Sequence, residues 1–209
     1  MIIGIISVII AYILGSIPFA FIFTYLINGI DIRQLGTGNA GAMNTVREVG
    51  LLPGIAVLLL DMVKGSLAVF IAQWLGISLI FVFIDGFAAV AGHNWPLFLK
   101  FKGGRGTATT LGVLLALTPL EFGISFLVIL AIFFFTRSSG LAVGIGLVLL
   151  PLFMWAFGRE LSLLLYSLAL SIFLALRNIP TIRRDMVNSS SLRKIIFRTH
   201  PPLWHRKKR

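Results

Sequence analysis

The chain has 209 residues, of which 58% are hydrophobic and 12% charged, and its mean hydropathy is +1.00. Soluble domains carry about 25% charged residues, so this composition indicates a membrane protein. The absence of cysteine excludes disulfides, a thiolate nucleophile and cysteine-ligated metal. Because the background is so apolar, the net charge of +11 favours a membrane surface and its lipid, and no nucleic acid, as the partner.

Six apolar runs follow one another along the chain, and a spanning helix needs about 20 such residues. The first run has no lysine or arginine before it, unlike a secretory signal. We therefore expect it to be a spanning helix, kinked at Pro18, that is kept in the mature protein. The runs occupy residues 2–27, 52–75, 78–98, 107–135, 140–157 and 161–177.

The run 107–135 is too long for one helix and short for two, and Thr118-Pro119 inside it has the sequence of a tight turn. Splitting the run at Pro119 gives seven helices and leaves Arg159 as the single basic residue in the loops of one face. The positive-inside rule then predicts an all-α integral membrane protein, a seven-transmembrane-helix bundle with its N-terminus outside and its C-terminus in the cytoplasm. The basic residues that flank the spans on the cytoplasmic face are Arg33, Arg47, Lys100, Lys102, Arg105 and Arg137.

Residues 1–182 are expected to form one membrane domain, and residues 183–209 a basic tail. The tail mixes arginine and lysine with Ile195, Phe197 and Trp204, a combination typical of an interfacial segment on anionic lipid. A disordered basic end that only fixes the orientation is the alternative.

Two polar, glycine-rich stretches interrupt the apolar chain. Residues 36–47 and 92–107 each combine glycines, small polar side chains and a basic residue. Glycine-rich backbone can turn its N–H groups toward an anion, and a guanidinium grips two phosphate oxygens. The alternative for a single stretch is that its glycines allow tight turns and close helix packing. Two stretches on one face, with Arg47 and Arg105, favour a phosphate site.

Three further polar residues lie near the apolar runs. Asp61 and Lys64 are three residues apart in one helix, so they share a face and can pair. A structural ion pair is the first interpretation, and direct substrate contact is the second. His93 is either a general base, since its pKa lies near neutral, or a support for its loop. No histidine or carboxylate spacing predicts a metal site.

These stretches resemble the bacterial membrane acyl-phosphate:glycerol-3-phosphate acyltransferases, the PlsY-type family. Gly15-Ser16-Ile17-Pro18-Phe19, residues 36–47, Asp61-Met62-Val63-Lys64-Gly65 and residues 93–109 are similar to the family's motifs at consistent spacing. The resemblance implies seven transmembrane helices in the bacterial inner membrane and a cytoplasmic active site. It also implies an enzyme without a cofactor, which transfers an acyl group from acyl phosphate to glycerol-3-phosphate and gives lysophosphatidic acid.

The resemblance and the two stretches together predict the site residues. The expected catalytic residues are Thr37, Arg47, Arg105 and His93. Those expected to bind substrate are Gly36, Gly38, Asn39, Gly41, Asn44, Lys102, Gly103, Gly104, Gly106, Ser139 and Asn178.

The chain departs from the family pattern at several positions. Met43 stands where the family has threonine, and Arg105 where it has lysine. Ser139 matches a third motif only in part, and either Asn178 or Thr181 stands in for part of a C-terminal His-x-x-Asn pattern. A paralogue with an altered acceptor is therefore one alternative. A non-enzymatic protein that binds or transports anionic lipid head groups is the other.

Overall fold

The computed structural model describes the backbone of residues 1–188 and the side chains of residues 1–180. Throughout this part of the chain the regular structure is helical. The predicted tail, 183–209, lies outside the described side chains and, beyond residue 188, outside the described backbone. The α-helices are α1 (Ile2–Ser16), α2 (Phe19–Asn28), α3 (Ala42–Glu48), α4 (Leu51–Trp74), α5 (Leu79–Asn94), α6 (Thr107–Leu117), α7 (Pro119–Thr136), α8 (Ser139–Ala156) and α9 (Leu161–Asn188), with short 3₁₀ turns at Ile32–Gln34 and Leu97–Leu99.

Both proline breaks predicted from the sequence are present. Ile17 and Pro18 leave the helical conformation, with ψ angles of 117° and 71°, and separate α1 from α2. Thr118 leaves the helical conformation, with a ψ of 63°, and Pro119 is the first residue of α7, where its missing N–H removes no helical bond. Contacts divide the chain at this second break into a first compact unit, Met1–Leu117, and a second that begins at Thr118.

Five segments in the described part of the chain are long and apolar enough to cross a membrane. Helix α6, with 11 residues, is apolar but shorter than these. Many large apolar side chains on the helices are exposed, which is typical of a surface that faces lipid. The chain is therefore an all-α, multi-pass membrane protein. The five segments are Ile2–Asn28, Leu51–Trp74, Pro119–Thr136, Ser139–Ala156 and Leu161–Pro180.

Glycines set the close packing of two helix pairs in the first unit. A Cβ atom at Gly15 of α1 would meet the backbone of Ala89 in α5, and one at Gly92 of α5 would meet the carbonyl of Tyr12. Small residues of this kind let membrane helices approach closely.

Helices α4 and α6 repeat this reciprocal arrangement. Gly65 lies against the Thr109 carbonyl, and Gly112 lies against the Met62 carbonyl. The Ser66 hydroxyl also donates to the Gly112 carbonyl, with an oxygen–oxygen distance of 2.7 Å.

In the second unit, an ion pair joins the start of α7 to the turn that follows α8. The Arg159 guanidinium donates to both carboxylate oxygens of Glu121, whose side chain is fully buried. This hydrogen bond raises the pKa of Arg159. Ser125 of α7 also donates to the Gly146 carbonyl of α8, so polar contacts hold these helices together.

The glycine contacts predict a difference between two conservative substitutions. Gly112→Ala drives a methyl group into the Met62 backbone, so we expect it to destabilise the protein by about 1–3 kcal/mol. Gly144→Ala in α8 meets open space and should leave stability unchanged or slightly raised, because alanine is the better helix former. Thermal unfolding in detergent measures both, and equal melting temperatures would contradict the packing argument.

Candidate active site

Loop 1 (residues 29–41) and loop 2 (residues 95–106) contain most of the predicted site residues, and both belong to the first unit. The two loops are in contact. A Cβ atom at Gly104 in loop 2 would come within 2.7 Å of the Ala40 carbonyl oxygen in loop 1. The expectation that the two glycine-rich stretches lie side by side therefore agrees with the geometry.

The Asn44 side chain organises loop 1 from inside. Its carboxamide oxygen accepts from the Thr37 N–H at 3.1 Å, and its nitrogen donates to the carbonyls of Ile32 and Leu35 at 3.3 and 3.0 Å. Asn44 is only 2% exposed. In this structure it therefore shapes the loop.

Positive backbone angles make glycine necessary at two positions of loop 1. Gly36 has a φ of +54° and Gly38 a φ of +71°, a region that side chains disfavour. The Glu48 carboxylate also lies against Gly36. Thr37 between these glycines is exposed and Asn39 half-buried.

The backbone N–H groups of the first two glycines in loop 2 hold the loop against the end of α5. Gly103 donates to the Asn94 carbonyl at 3.2 Å, and Gly104 donates to the His93 carbonyl at 3.1 Å. In loop 1 the N–H groups of Gly38 and Gly41 likewise bond within the loop. These four donors bond within the protein, and phosphate binding by the loop glycines stays a prediction.

A buried charge cluster lies beneath loop 2. The Lys64 ammonium is 2.8 Å from Asp61 Oδ1 and donates to the Ile17 carbonyl at 2.9 Å. It also lies 5.6 Å from the centre of the Phe19 ring. His93 Nδ1 is 3.4 Å from the same Asp61 oxygen. The expected ion pair of Asp61 and Lys64 is therefore present, and the His93 ring lies beside it.

A small cavity joins this cluster to the loops. Its lining includes Ser16 at the α1–α2 break, Ala40 of loop 1, the charge cluster, and Gly103 and Gly104 of loop 2. The His93 ring reaches Gly104, where a Cβ atom would collide with Nε2. The cavity therefore has charged groups on one side and loop backbone on the other.

The remaining predicted residues occupy several places. Arg47 lies in the last turn of α3 and, like Arg105, is half-buried. Lys102 is exposed, and Gly106 has a φ of +80° beside the buried Asn94 side chain. The other two belong to the second unit: Ser139 is the first residue of α8, and Asn178 donates to the Leu174 carbonyl within α9.

Sequence reasoning missed an ion pair at the start of loop 1. Arg33 Nε is 2.9 Å from Asp31 Oδ2, and Nη2 is 2.6 Å from the same oxygen. The hydrogen bond from Arg33 lowers the pKa of Asp31 and raises that of Arg33. Because the pKa of the Asp31 carboxyl is lowered, the pair stabilises the fold fully above the unfolded-state pKa of about 3.9. This stabilisation is lost as the pH falls through the folded-state pKa. The pair therefore persists at neutral pH.

The helices and the charged cavity define a multi-pass membrane protein with a polar site beneath two glycine-rich loops. A family model described as glycerol-3-phosphate acyltransferase matches residues 5–187. The chain belongs to the glycerol-3-phosphate acyltransferase family, which confirms the enzyme class predicted from the motifs.

Individual relatives agree with this assignment along most of the chain. Glycerol-3-phosphate acyltransferase 1 of Dehalococcoides mccartyi is 41% identical over 196 residues, which are 91% of this chain and 94% of that one. The glycerol-3-phosphate acyltransferase of Syntrophomonas wolfei is 45% identical over 156 residues, or 74% and 78% of the two chains.

Two crystal structures of PlsY (YgiH), an integral membrane glycerol 3-phosphate acyltransferase, are similar to this chain. The glycerol 3-phosphate form has a TM-score of 0.81 and the lysophosphatidic acid form one of 0.79. Each is 36% identical and covers 88% of this chain and 92% of its own.

The charge cluster predicts a stability difference between single and double variants. Lys64→Met leaves the Asp61 carboxylate buried without its ammonium, a change that costs about 3–5 kcal/mol. Lys64→Met with Asp61→Leu removes both charges and should recover most of the loss. Thermal unfolding in detergent measures the two melting temperatures. A double variant as unstable as the single one would show that the pair does not govern stability.

Proposed function

We propose that this protein moves a fatty acyl group from acyl phosphate to the 1-hydroxyl of glycerol-3-phosphate, giving lysophosphatidic acid. The observation that carries this proposal is the cavity that brings Lys64, Asp61 and His93 beneath both loops in a chain of this family. The glycerol 3-phosphate and lysophosphatidic acid forms of the PlsY relative support the acceptor and the product.

The reaction needs no covalent enzyme intermediate and no cofactor, because an acyl phosphate is a mixed anhydride with a good leaving group. The acceptor hydroxyl oxygen attacks the carbonyl carbon and forms the new ester bond. The carbon–oxygen bond to phosphate breaks, and phosphate leaves with its electron pair. The hydroxyl proton passes to an oxygen of a substrate phosphate. The protein contributes positioning of the two reactants and stabilisation of charge on their phosphates.

Arg47 and Arg105 are proposed to clamp phosphate oxygens, since a guanidinium offers paired donors in a fixed geometry. Lys102 adds a flexible positive charge at the exposed edge of loop 2. Thr37 and Asn39 are proposed to orient the attacking hydroxyl. Their positions in loop 1, which is in contact with loop 2, support these roles. Ser139 and Asn178 remain predictions from the motifs.

His93 is proposed to support the site. Its ring lies between Asp61 and Gly104, and its carbonyl accepts the Gly104 N–H, so it connects the charge cluster to loop 2. Reduced turnover in His93→Gln with a lowered melting temperature is expected for a support, whereas loss of all turnover with an unchanged melting temperature would instead assign His93 as the base.

The proposed topology has seven spans in the inner membrane, with the N-terminus outside, the C-terminus in the cytoplasm, and both loops at the cytoplasmic face. The break at Pro119 supports the odd count, because it turns one apolar run into two helices. The charge difference between the two sets of loops supports the orientation. The acyl chain is proposed to lie in the lipid beside the cavity.

Purified full-length protein should convert glycerol-3-phosphate and palmitoyl phosphate to lysophosphatidic acid, with release of inorganic phosphate. Binding of either substrate without turnover would favour the protein that only binds or transports lipid head groups. Turnover with a different polyol phosphate alone would favour an altered acceptor.

In the same assay, Arg47→Ala and Arg105→Ala should each lower kcat/KM by about 10²–10³-fold, the effect of removing a charged donor from a reacting group. Arg105→Lys should retain much of the activity, since the family pattern has lysine there. Lys100→Asn is the matched control: it removes a nearby exposed charge at a φ of +53°, which asparagine tolerates. Wild-type rates in both alanine variants would contradict the proposal that Arg47 and Arg105 clamp phosphate oxygens.

Single introduced cysteines can report which side of the membrane each loop faces, because the protein has no cysteine of its own. Gln34→Cys in loop 1 should react with a membrane-impermeant maleimide only after the cells are opened. Ser78→Cys and Glu160→Cys, both exposed, should react in intact cells. The unmodified protein is the blank, and labelling of Gln34→Cys from outside would reverse the orientation.

A further inference from the structure

We propose that Arg33 is a positioning residue of the acyl transfer, acting from loop 1 to hold loop 2 in a strained conformation. This inference rests on the function proposed above. It concerns a side chain that does not line the cavity and that the motifs did not single out as a site residue.

The strain lies at two consecutive residues of loop 2. Lys100 has a φ of +53° and Phe101 a φ of +59°, and neither is glycine. Left-handed backbone is rare for such residues and persists only where the surroundings impose it. Both side chains are exposed, Phe101 by 56%, so side-chain burial does not fix the corner.

Arg33 contacts the backbone on both sides of this corner. Its Nη1 donates to the Leu99 carbonyl at 2.9 Å and to the Lys102 carbonyl at 3.4 Å. These carbonyls come directly before and directly after the two left-handed residues. One guanidinium nitrogen therefore joins the two ends of the strained corner.

Asp31 holds the guanidinium in place. Its carboxylate accepts from Arg33 Nε and Nη2, and also from the Arg33 backbone N–H at 2.9 Å. With Nε and Nη2 on the carboxylate, Nη1 points at loop 2 in a fixed direction. A lysine has no planar fork and cannot make both sets of contacts together.

The position of the corner determines the position of the site glycines. Lys102 is followed at once by Gly103 and Gly104, which bond to the carbonyls at the end of α5. Gly104 also lies against the His93 ring. A relaxed corner would shift these residues and Arg105 relative to the charge cluster. A misplacement of about 1 Å in a catalytic arrangement costs up to about 10²-fold in rate.

The test combines a variant that weakens the contacts of Arg33 with a variant that removes the backbone strain at Lys100 and Phe101. Arg33→Lys should lower kcat/KM for the two substrates by about tenfold or more. Lys100→Gly with Phe101→Gly should stay within about twofold of wild type, since glycine adopts positive φ without strain. In the Arg33→Lys background the same glycine pair should restore most of the lost activity. Asp31→Asn, which frees the guanidinium, should give a smaller loss with the same rescue.

Limited trypsin digestion, mapped by mass spectrometry, reports the conformation of this corner independently of enzyme activity. Arg33→Lys should speed cleavage after Lys102, and the glycine pair should slow it again. Near-wild-type activity and cleavage in Arg33→Lys would overturn the proposal, and so would a folded Arg33→Lys protein that the glycines fail to rescue. A wild-type protein without turnover, but with the expected cleavage pattern in the variants, would overturn the proposed function and the catalytic part of this proposal, and would leave only the structural contact of Arg33 with loop 2.

Discussion

The buried ammonium of Lys64 is the constraint on which the rest of the first unit depends. A charge at the centre of a membrane helix costs about 2.5–3.5 kcal/mol even on the mildest scales, so it must be matched inside the protein. The structure matches it with a carboxylate one turn earlier, a carbonyl and an aromatic face. The carbonyl is that of Ile17, next to the break at Pro18, where the helical bonding pattern is interrupted. The helix break and the buried charge therefore stabilise each other.

Glycine in the two glycine-rich loops has a packing role that the structure shows directly. Their backbone donors at Gly38, Gly41, Gly103 and Gly104 are engaged within the protein. The small size of glycine matters more, because it allows a carboxylate, a histidine ring and a carbonyl to approach the loop backbone closely. Glycine here permits contact between elements, and side chains carry the charge offered to a substrate. The non-glycine strain at Lys100 and Phe101, at roughly 1–3 kcal/mol per residue, is part of the same tightly constrained loop.

Local patterns in the sequence predicted what local physics determines. The two proline breaks, the membrane class, and the ion pair of Asp61 with Lys64 follow from apolar length, proline chemistry and helical spacing. Specific side-chain contacts between distant residues were not predicted. Arg33 reaches carbonyls 66 and 69 residues away, and Arg159 pairs with Glu121 across 38 residues. No periodicity encodes such pairs, and none marks Lys100 and Phe101 as left-handed.

The position of the cavity along the apolar helices suits this chemistry. Helix α1 has 15 residues, which at about 1.5 Å per residue span roughly 22 Å, less than the hydrocarbon core of about 30 Å. The break at Pro18, and with it the Lys64 contact, lies inside the apolar segment Ile2–Asn28. An acyl donor has its chain in the lipid and its phosphate at the surface, whereas glycerol-3-phosphate comes from water. Ile17, Phe19 and Leu99 line the cavity together with Lys64 and His93, so its lining offers apolar contact for the chain and polar groups for the phosphates. Such a boundary also limits water near the reactive anhydride, which favours transfer over hydrolysis.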